Sequence, residues 1–235
     1  YFQIKIFMGI VKIVPSSIEF LKLLKKNNNR DWFNANKNRY LKEHANIVVF
    51  AEALLKEMNK HDDIETPSGK KSLHRIYRDT RFSNDKTPYK NNWSGSFSRA
   101  TKKLRGGYYF HIQPGNTFLG GGFWGPSTED LKRIRDEIAY DAAPLRKIIE
   151  SKGFVKVFGK LEGEQLKTTP KGFASDHSDI DLLRFKQFLV MRKFSDKEVM
   201  SDKFLKEVNE TFKAMRPFFN YMSEVLTTDT NGISI

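Results

Sequence analysis

Residues 75–90 read RIYRDTRFSNDKTPYK, in which Arg75, Arg78, Arg81, Lys86 and Lys90 surround only two acids, Asp79 and Asp85. A guanidinium is a rigid fork of donors that matches a carboxylate or a phosphate. Three arginines at a spacing of three therefore call for an anionic counterpart. Two readings stand side by side. In the first, Arg75, Arg78, Arg81 and Lys86 line a pocket for a phosphate- or carboxylate-bearing ligand. Asp79 then holds the arginines in register, Asp85 orients them or serves as a general base, and the Tyr89 hydroxyl closes the pocket. In the second, Asp79 and Asp85 pair with arginines in a structural network that pins a strand to a loop. Two acids satisfy two of the five cations, so both readings leave cations to account for.

Other residue types that carry chemistry are more scattered. His111 lies in a segment of strand character, and if it shares a face with Tyr109 and Gln113 it can approach the arginines and carry protons. Asp176-His177-Ser178-Asp179-Ile180-Asp181 places three carboxylates beside an imidazole. Helix capping explains that cluster better than a divalent cation does, and no second histidine stands at helical spacing. Gly120-Gly121-Gly122 precedes Trp124 and a helix start at Ser127, which suggests an anion cradle. Without a GK[ST] or GxGxxG pattern, glycines that relieve crowding beneath Trp124 account for it more simply. No GxSxG occurs, so acyl transfer through a serine has no motif behind it. Neither a cofactor nor a metal centre is expected.

The formal net charge of +13 is concentrated. Between Lys70 and Arg105 stand eleven Lys or Arg against two Asp, whereas the other 199 residues carry 30 basic and 26 acidic side chains. Such a local field concentrates anions. Tyr77, Phe82, Tyr89, Trp93 and Phe97 interleave with these cations. A basic surface with stacking platforms makes single-stranded nucleic acid an alternative partner to an anionic small molecule or phosphoester. An enzyme, a nucleic-acid module and a structural network all stay open at this level, and oligomeric state is not legible.

The absence of cysteine excludes disulfides and thiolate chemistry. No apolar run reaches the roughly 18 residues that span a bilayer. The stretch 4–14 is short and broken by Lys5 and Lys12, so no signal peptide and no membrane partner are expected, and a cytoplasmic protein is the default. Tyr1-Phe2-Gln3 resembles the remnant of a cleavable tag.

The elements that must position these residues follow from periodicity. A helix capped by Ser16 or Ser17 ends in the 27–29 asparagine cluster, and a longer one runs from about 31 to 59. Alternation suggests a strand at 74–82, with Arg75, Tyr77, Asp79 and Arg81 on one face. Further strands are expected at 94–100, 107–113 and 117–124, the last two joined by Pro114-Gly115-Asn116. Ser127 to Asp130 resembles a capping box that opens a helix. A helical turn begins at Pro144, and 154–158 reads as a short strand. A brief helix at 182–185 and a strand at 188–194 follow, and a final helix at 202–226 carries Pro217, which should kink or split it. With hairpins in place of regular βαβ alternation, the class is α+β: one domain over 16–226, an antiparallel or mixed central sheet covered by helices. Residues 1–15 and 227–235 form an N-terminal segment and a C-terminal tail.

The 75–89 stretch also resembles the signature of a bacterial family, domain of unknown function 2461, with the pattern Arg-x-x-Arg-Asp-x-Arg-Phe-x-x-Asp/Asn-Lys-x-x-Tyr. Arg75, Arg78, Asp79, Arg81, Phe82, Asp85, Lys86 and Tyr89 meet every specified position. GGYYFHIQPG, LKTTPKGF and DHSDIDLLRFKQF are similar to its later blocks. The resemblance extends from about Pro15 to Leu226 and implies a conserved protein without an assigned activity.

Overall fold

A computed structural model describes residues 10–228 and 233; the tag-like residues 1–3, most of the apolar 4–14 stretch and most of the tail lie outside the described residues. The chain opens with α1 (Pro15–Lys26), α2 (Arg30–Ala35), α3 (Lys37–Met58) and the short α4 (Gly69–Ser72). Three strands follow, β1 (Trp93–Ser98), β2 (Gly107–Ile112) and β3 (Thr117–Phe123). Next come α5 (Thr128–Tyr140), α6 (Ala143–Ile149), α7 (Lys152–Phe158) and α8 (Ile180–Leu183). The last elements are β4 (Phe188–Phe194), α9 (Asp196–Val199) and α10 (Phe204–Thr227). The strands form one antiparallel sheet in the order β1-β2-β3-β4. The class is therefore α+β, and of the two sheet types expected the antiparallel one is observed.

Strand alternation divides the sheet into two unlike faces. Trp93, Phe97, Tyr108, Phe110, Ile112, Leu119, Phe123, Phe188, Val190 and Phe194 are buried on the inner face. Against them packs α10, whose buried Phe204, Val208, Phe212, Met215, Phe219, Met222 and Leu226 recur every three or four residues, the period of one helical face. Tyr108 lies 5.0 Å from both Phe212 and Phe219, and Phe50 of α3 meets Phe110 edge-on at 6.2 Å. Each such side chain contributes about 1.5–3 kcal/mol by leaving water. The outer face is different in kind, carrying Ser94, Ser96, Tyr109, His111, Phe118 and Lys193 at the alternate register positions.

The glycine run belongs to β3, and packing explains two of its three members. A Cβ on Gly121 would stand 2.6 Å from Met215 Sδ and 2.8 Å from the Phe219 ring. Gly122 has φ +130°, and its Cβ would meet the Phe188 carbonyl at 2.2 Å. The crowding comes from α10 and β4, not from Trp124, which is largely exposed.

Several local expectations are corrected. The 31–59 helix is two helices, because Asn36 breaks the run: its side-chain amide donates to the Trp32 carbonyl at 2.9 Å, a local bond that competes with helix continuation. Asn29 caps α2 by accepting from the Trp32 N–H. Residues 154–158 are helical in α7, with Ser151 as cap and Phe154 and Phe158 buried one turn apart at 5.1 Å. Asp179 does not cap α8 through its side chain, since its carboxylate is held at 2.6 Å by Arg146, which also binds Asp181 at 2.7 Å. Ser127 does cap α5 by accepting from the Asp130 N–H, but Asp130 turns to Arg105 at 2.6 Å. The full reciprocal box is at Ser195 and Glu198. Pro217 does not split the last helix, which runs unbroken to Thr227. No strand forms over 74–82, for reasons that bear on the site.

Candidate functional site

The segment after α4 runs beside the β1 edge and then leaves it. Leu73 bridges to Gly95, and the His74 N–H donates to the Ser94 carbonyl at 2.9 Å. Beyond this the chain makes a short two-stranded ribbon. The Arg78 N–H bonds the Pro88 carbonyl at 2.9 Å, the Lys90 N–H bonds the Ile76 carbonyl at 2.7 Å, and Tyr77 bridges to Tyr89. At the tip, side chains take over the role of the ladder. Asp79 accepts from the Arg81 N–H at 3.2 Å and Asp85 from the Thr87 N–H at 2.9 Å.

These bonds decide what each sequence-derived residue does. Arg78 is half-buried and fully engaged: it donates to Asp85 and to the Thr87 hydroxyl, to the Thr87 carbonyl at 3.3 Å and to Ser83 at 3.4 Å. The Thr87 amide and hydroxyl, followed by Arg78, push the Asp85 carboxyl down to about 2. Arg81 clasps Asp79 through Nε at 3.0 Å and Nη2 at 2.7 Å, in the open, and this contact holds the Asp79 carboxyl below its usual range. Lys86 donates to the Thr80 carbonyl at 2.9 Å. Tyr89 is 4% exposed. Its ring stacks on Phe33 at 4.0 Å, and Asn28 grips its backbone N–H and carbonyl. Four of the seven residues thus form two acid–arginine pairs, Lys86 ties the tip, and Tyr89 anchors the ribbon in the core.

Arg75 is left over. Together with Lys90 it makes no side-chain hydrogen bond or ion pair among the described residues. Both stand where the ribbon meets the outer sheet face. Partial burial, then the nearby Arg75 charge, holds the Lys90 ammonium below its ordinary range. On the sheet beside them, His74 reaches Ser96 Oγ through Nε2 at 3.1 Å and Ser94 Oγ through Nδ1 at 3.4 Å. His111 Nε2 lies 2.8 Å from Gln113 Oε1 and Nδ1 lies 3.0 Å from the Tyr109 hydroxyl. Since an amide oxygen only accepts, the proton sits on Nε2, and Nδ1 accepts from Tyr109. The His74 and Tyr109 rings are 5.9 Å apart, and His111 stacks on Phe118 at 4.8 Å. Burial lowers the pKa of both imidazoles and the Lys90 charge adds to it, while at His111 the Gln113 hydrogen bond offsets part of the effect; the net shift favours the neutral form of each.

Lys90, two imidazoles and a phenol therefore meet on the outer face, with Arg75 close to Lys90. The expectation that His111 shares its face with Tyr109 and Gln113 holds. The contributions of His74, Lys90, Ser94 and Ser96 are not apparent in the linear pattern; the surplus of cations over acids in 75–90 is the one signal that could have singled out Lys90.

Arg99 and Arg105, which share the basic window, belong elsewhere. A cleft of about 1040 Å³ is lined by Asp62, Arg99, Arg216 and Asn220, and there Arg99 is consumed by Asp62, Asn220 and the Arg105 carbonyl. Among the described residues, no group of three metal-ligating side chains assembles, and no helix is long and apolar enough to cross a membrane.

Compared with known proteins, the chain matches no curated protein and no solved structure. Residues 16–221, which hold the ribbon, the sheet and α10 as far as Tyr221, match the family described as conserved hypothetical protein (DUF2461), and the chain belongs to that family.

Proposed function

We propose that the outer sheet face binds a small phosphate- or carboxylate-bearing ligand, with Arg75 and Lys90 as the charged contacts and His74, Tyr109 and His111 as neutral hydrogen-bonding partners. One observation carries this reading: Arg75 and Lys90 stand close enough for one charge to depress the ionisation of the other, and neither forms an ion pair among the described residues, since Asp79, whose carboxylate feels the Arg75 charge, is clasped by Arg81. Crowded like charges whose nearest acid is already clasped by another arginine favour an anion between them. Arg78 and Arg81 serve the site indirectly, because their pairs with Asp85 and Asp79 hold the ribbon that carries Arg75 and Lys90. A guanidinium and an ammonium together fit an oxyanion, the first by two parallel donors and the second as a point charge.

Isothermal titration of phosphate- and carboxylate-bearing ligands tests this. Arg75→Ala and Lys90→Ala should each weaken the best ligand by about tenfold or more, as expected for one charge-assisted hydrogen bond. Arg81→Ala should change it little. Equal affinity in the wild type and both variants would overturn the reading.

A further inference from the structure

Phe82 is 96% exposed, more than any other large hydrophobic side chain among the described residues. It stands at the tip of the 76–90 ribbon, and that tip is held firmly. Asp79 and Asp85 each accept from the backbone N–H two residues on, Arg78 ties both sides of its base, and Lys86 reaches back to the Thr80 carbonyl. None of these bonds encloses anything. Their joint effect is to hold the backbone that presents the phenyl ring to solvent, with the Arg81 guanidinium 5.8 Å from its centroid.

The surroundings of the ring select what it is suited to meet. Arg81, Asn84 and Lys86 beside it are exposed, so there is no contiguous apolar patch of the kind that an apolar protein partner or a lipid surface uses. The exposed acids of the tip, Asp79 and Asp85, are engaged by Arg81 and Arg78, and a single ring face beside Arg81 and Lys86 is what a base with its neighbouring phosphates requires. Arg81 keeps Nη1 uncommitted while Nε and Nη2 hold Asp79.

We infer that this tip binds single-stranded nucleic acid, one base stacking on Phe82 while the adjoining phosphates lie against Arg81 and Lys86. Removing one stacked base contact changes affinity by roughly five- to a hundredfold. An interaction of that size falls short of millimolar affinity by itself, so a free mononucleotide is not retained and the phosphates of a polymer supply the remainder. The site is separate from the Arg75–Lys90 pair: a small anion can bind there whether or not the tip binds a strand.

The test is fluorescence anisotropy with labelled oligothymidylate, a duplex of equal length and thymidine monophosphate. Because the Phe82 side chain is outside the core, its variants fold. Phe82→Ala and Phe82→Leu should each weaken the oligonucleotide at least fivefold, and Phe82→Trp should retain wild-type affinity. The logarithm of affinity should fall against that of salt with a slope of roughly −1.4 or steeper, for two or more phosphates on a single strand. The duplex should bind more weakly, and any mononucleotide held at the Arg75–Lys90 pair should be indifferent to Phe82→Ala. Four results would each overturn the inference: no binding by the wild type, equal affinity for duplex and single strand, indifference to Phe82→Ala, or full retention by Phe82→Leu. The last would mean that the ring is buried by an apolar partner instead. Small-anion binding that survives Phe82→Ala but fails in Arg75→Ala separates the two sites.

Discussion

Arg99 and Asp62 form a two-pronged ion pair in the interior, Nε to Oδ2 at 2.8 Å and Nη2 to Oδ1 at 3.1 Å, with side-chain exposures of 1% and 2%. The Tyr108 hydroxyl donates to the same carboxylate. Desolvation pushes the Asp62 carboxyl up, but the hydrogen bonds from Arg99 and Tyr108 outweigh it and the net shift is downward. Removing Arg99 leaves Asp62 buried with only Arg216, at 3.9 Å, as a cationic partner. Arg99→Met should therefore cost about 3–5 kcal/mol in urea unfolding, with the double variant Arg99→Met, Asp62→Leu recovering part of the loss. A single-variant cost below about 1 kcal/mol would contradict this account.

Tyr89 separates anchoring from ligand contact. Its ring is stacked on Phe33 in the core, so Tyr89→Ala should cost about 3–5 kcal/mol. Tyr89→Phe should stay within about 0.5 kcal/mol and leave anion affinity unchanged. Loss of affinity in Tyr89→Phe at full stability would return the hydroxyl to the binding site.

The two acid–arginine pairs of the ribbon should behave unequally. Arg78 joins Asp85, Thr87 and Ser83 from a half-buried position, and Arg78→Ala should cost about 1–2 kcal/mol and speed amide exchange through residues 79–87. The Arg81 side chain is 77% exposed, so Arg81→Ala should leave the unfolding midpoint essentially unchanged. Comparable losses in both would show that the pairs act as one unit.

Acid should loosen the tip late. The folded pKa of Asp85 is depressed to about 2 from an ordinary 3.8. Its stabilising bonds are thus fully present above the unfolded value and lost as pH falls through about 2. Amide resonances of 79–87 should keep their positions at pH 5 and move between pH 4 and pH 2. Movement already complete at pH 5 would rule out the Thr87 and Arg78 contacts as its cause.

Anion affinity should rise as pH falls. The folded pKa values of His74 and His111 lie below the ordinary 6.5, and an anion beside them raises both, so binding takes up protons. Sulfate keeps its charge over this range, and its affinity should increase from pH 7.5 to pH 5.5. The trend should flatten in the His74→Gln, His111→Gln double variant. A flat wild-type profile would place the anion away from both imidazoles.

Much of the frame follows from periodicity alone. The alternation over 107–112, 117–123 and 188–194 and the three-and-four spacing along α10 each have one face that can be buried, and burial drives their association. The class, the hairpin at Pro114-Gly115-Asn116 and the placement of His111 with Tyr109 and Gln113 were legible for that reason. So was the surplus of cations in 75–90, because composition counts charge without needing geometry.

What only the tertiary structure decided is which of those cations remain free. Alternation over 74–82 resembles a strand, but Asp79, Asp85 and Thr87 satisfy the backbone locally, and side-chain bonds of that kind leave no mark on a two-residue period. The partners of Arg78 and Arg81 lie within a few residues, whereas Arg99 finds Asp62 37 positions away and Asn220 121 positions away. Pairing at such separations depends on how α3, α10 and the sheet pack. The same packing brings His74 onto Ser94 and Ser96 and sets Lys90 near them and near Arg75, neither cation in an ion pair among the described residues. Charge is a property of the chain, but its compensation is settled by contacts between elements distant in sequence.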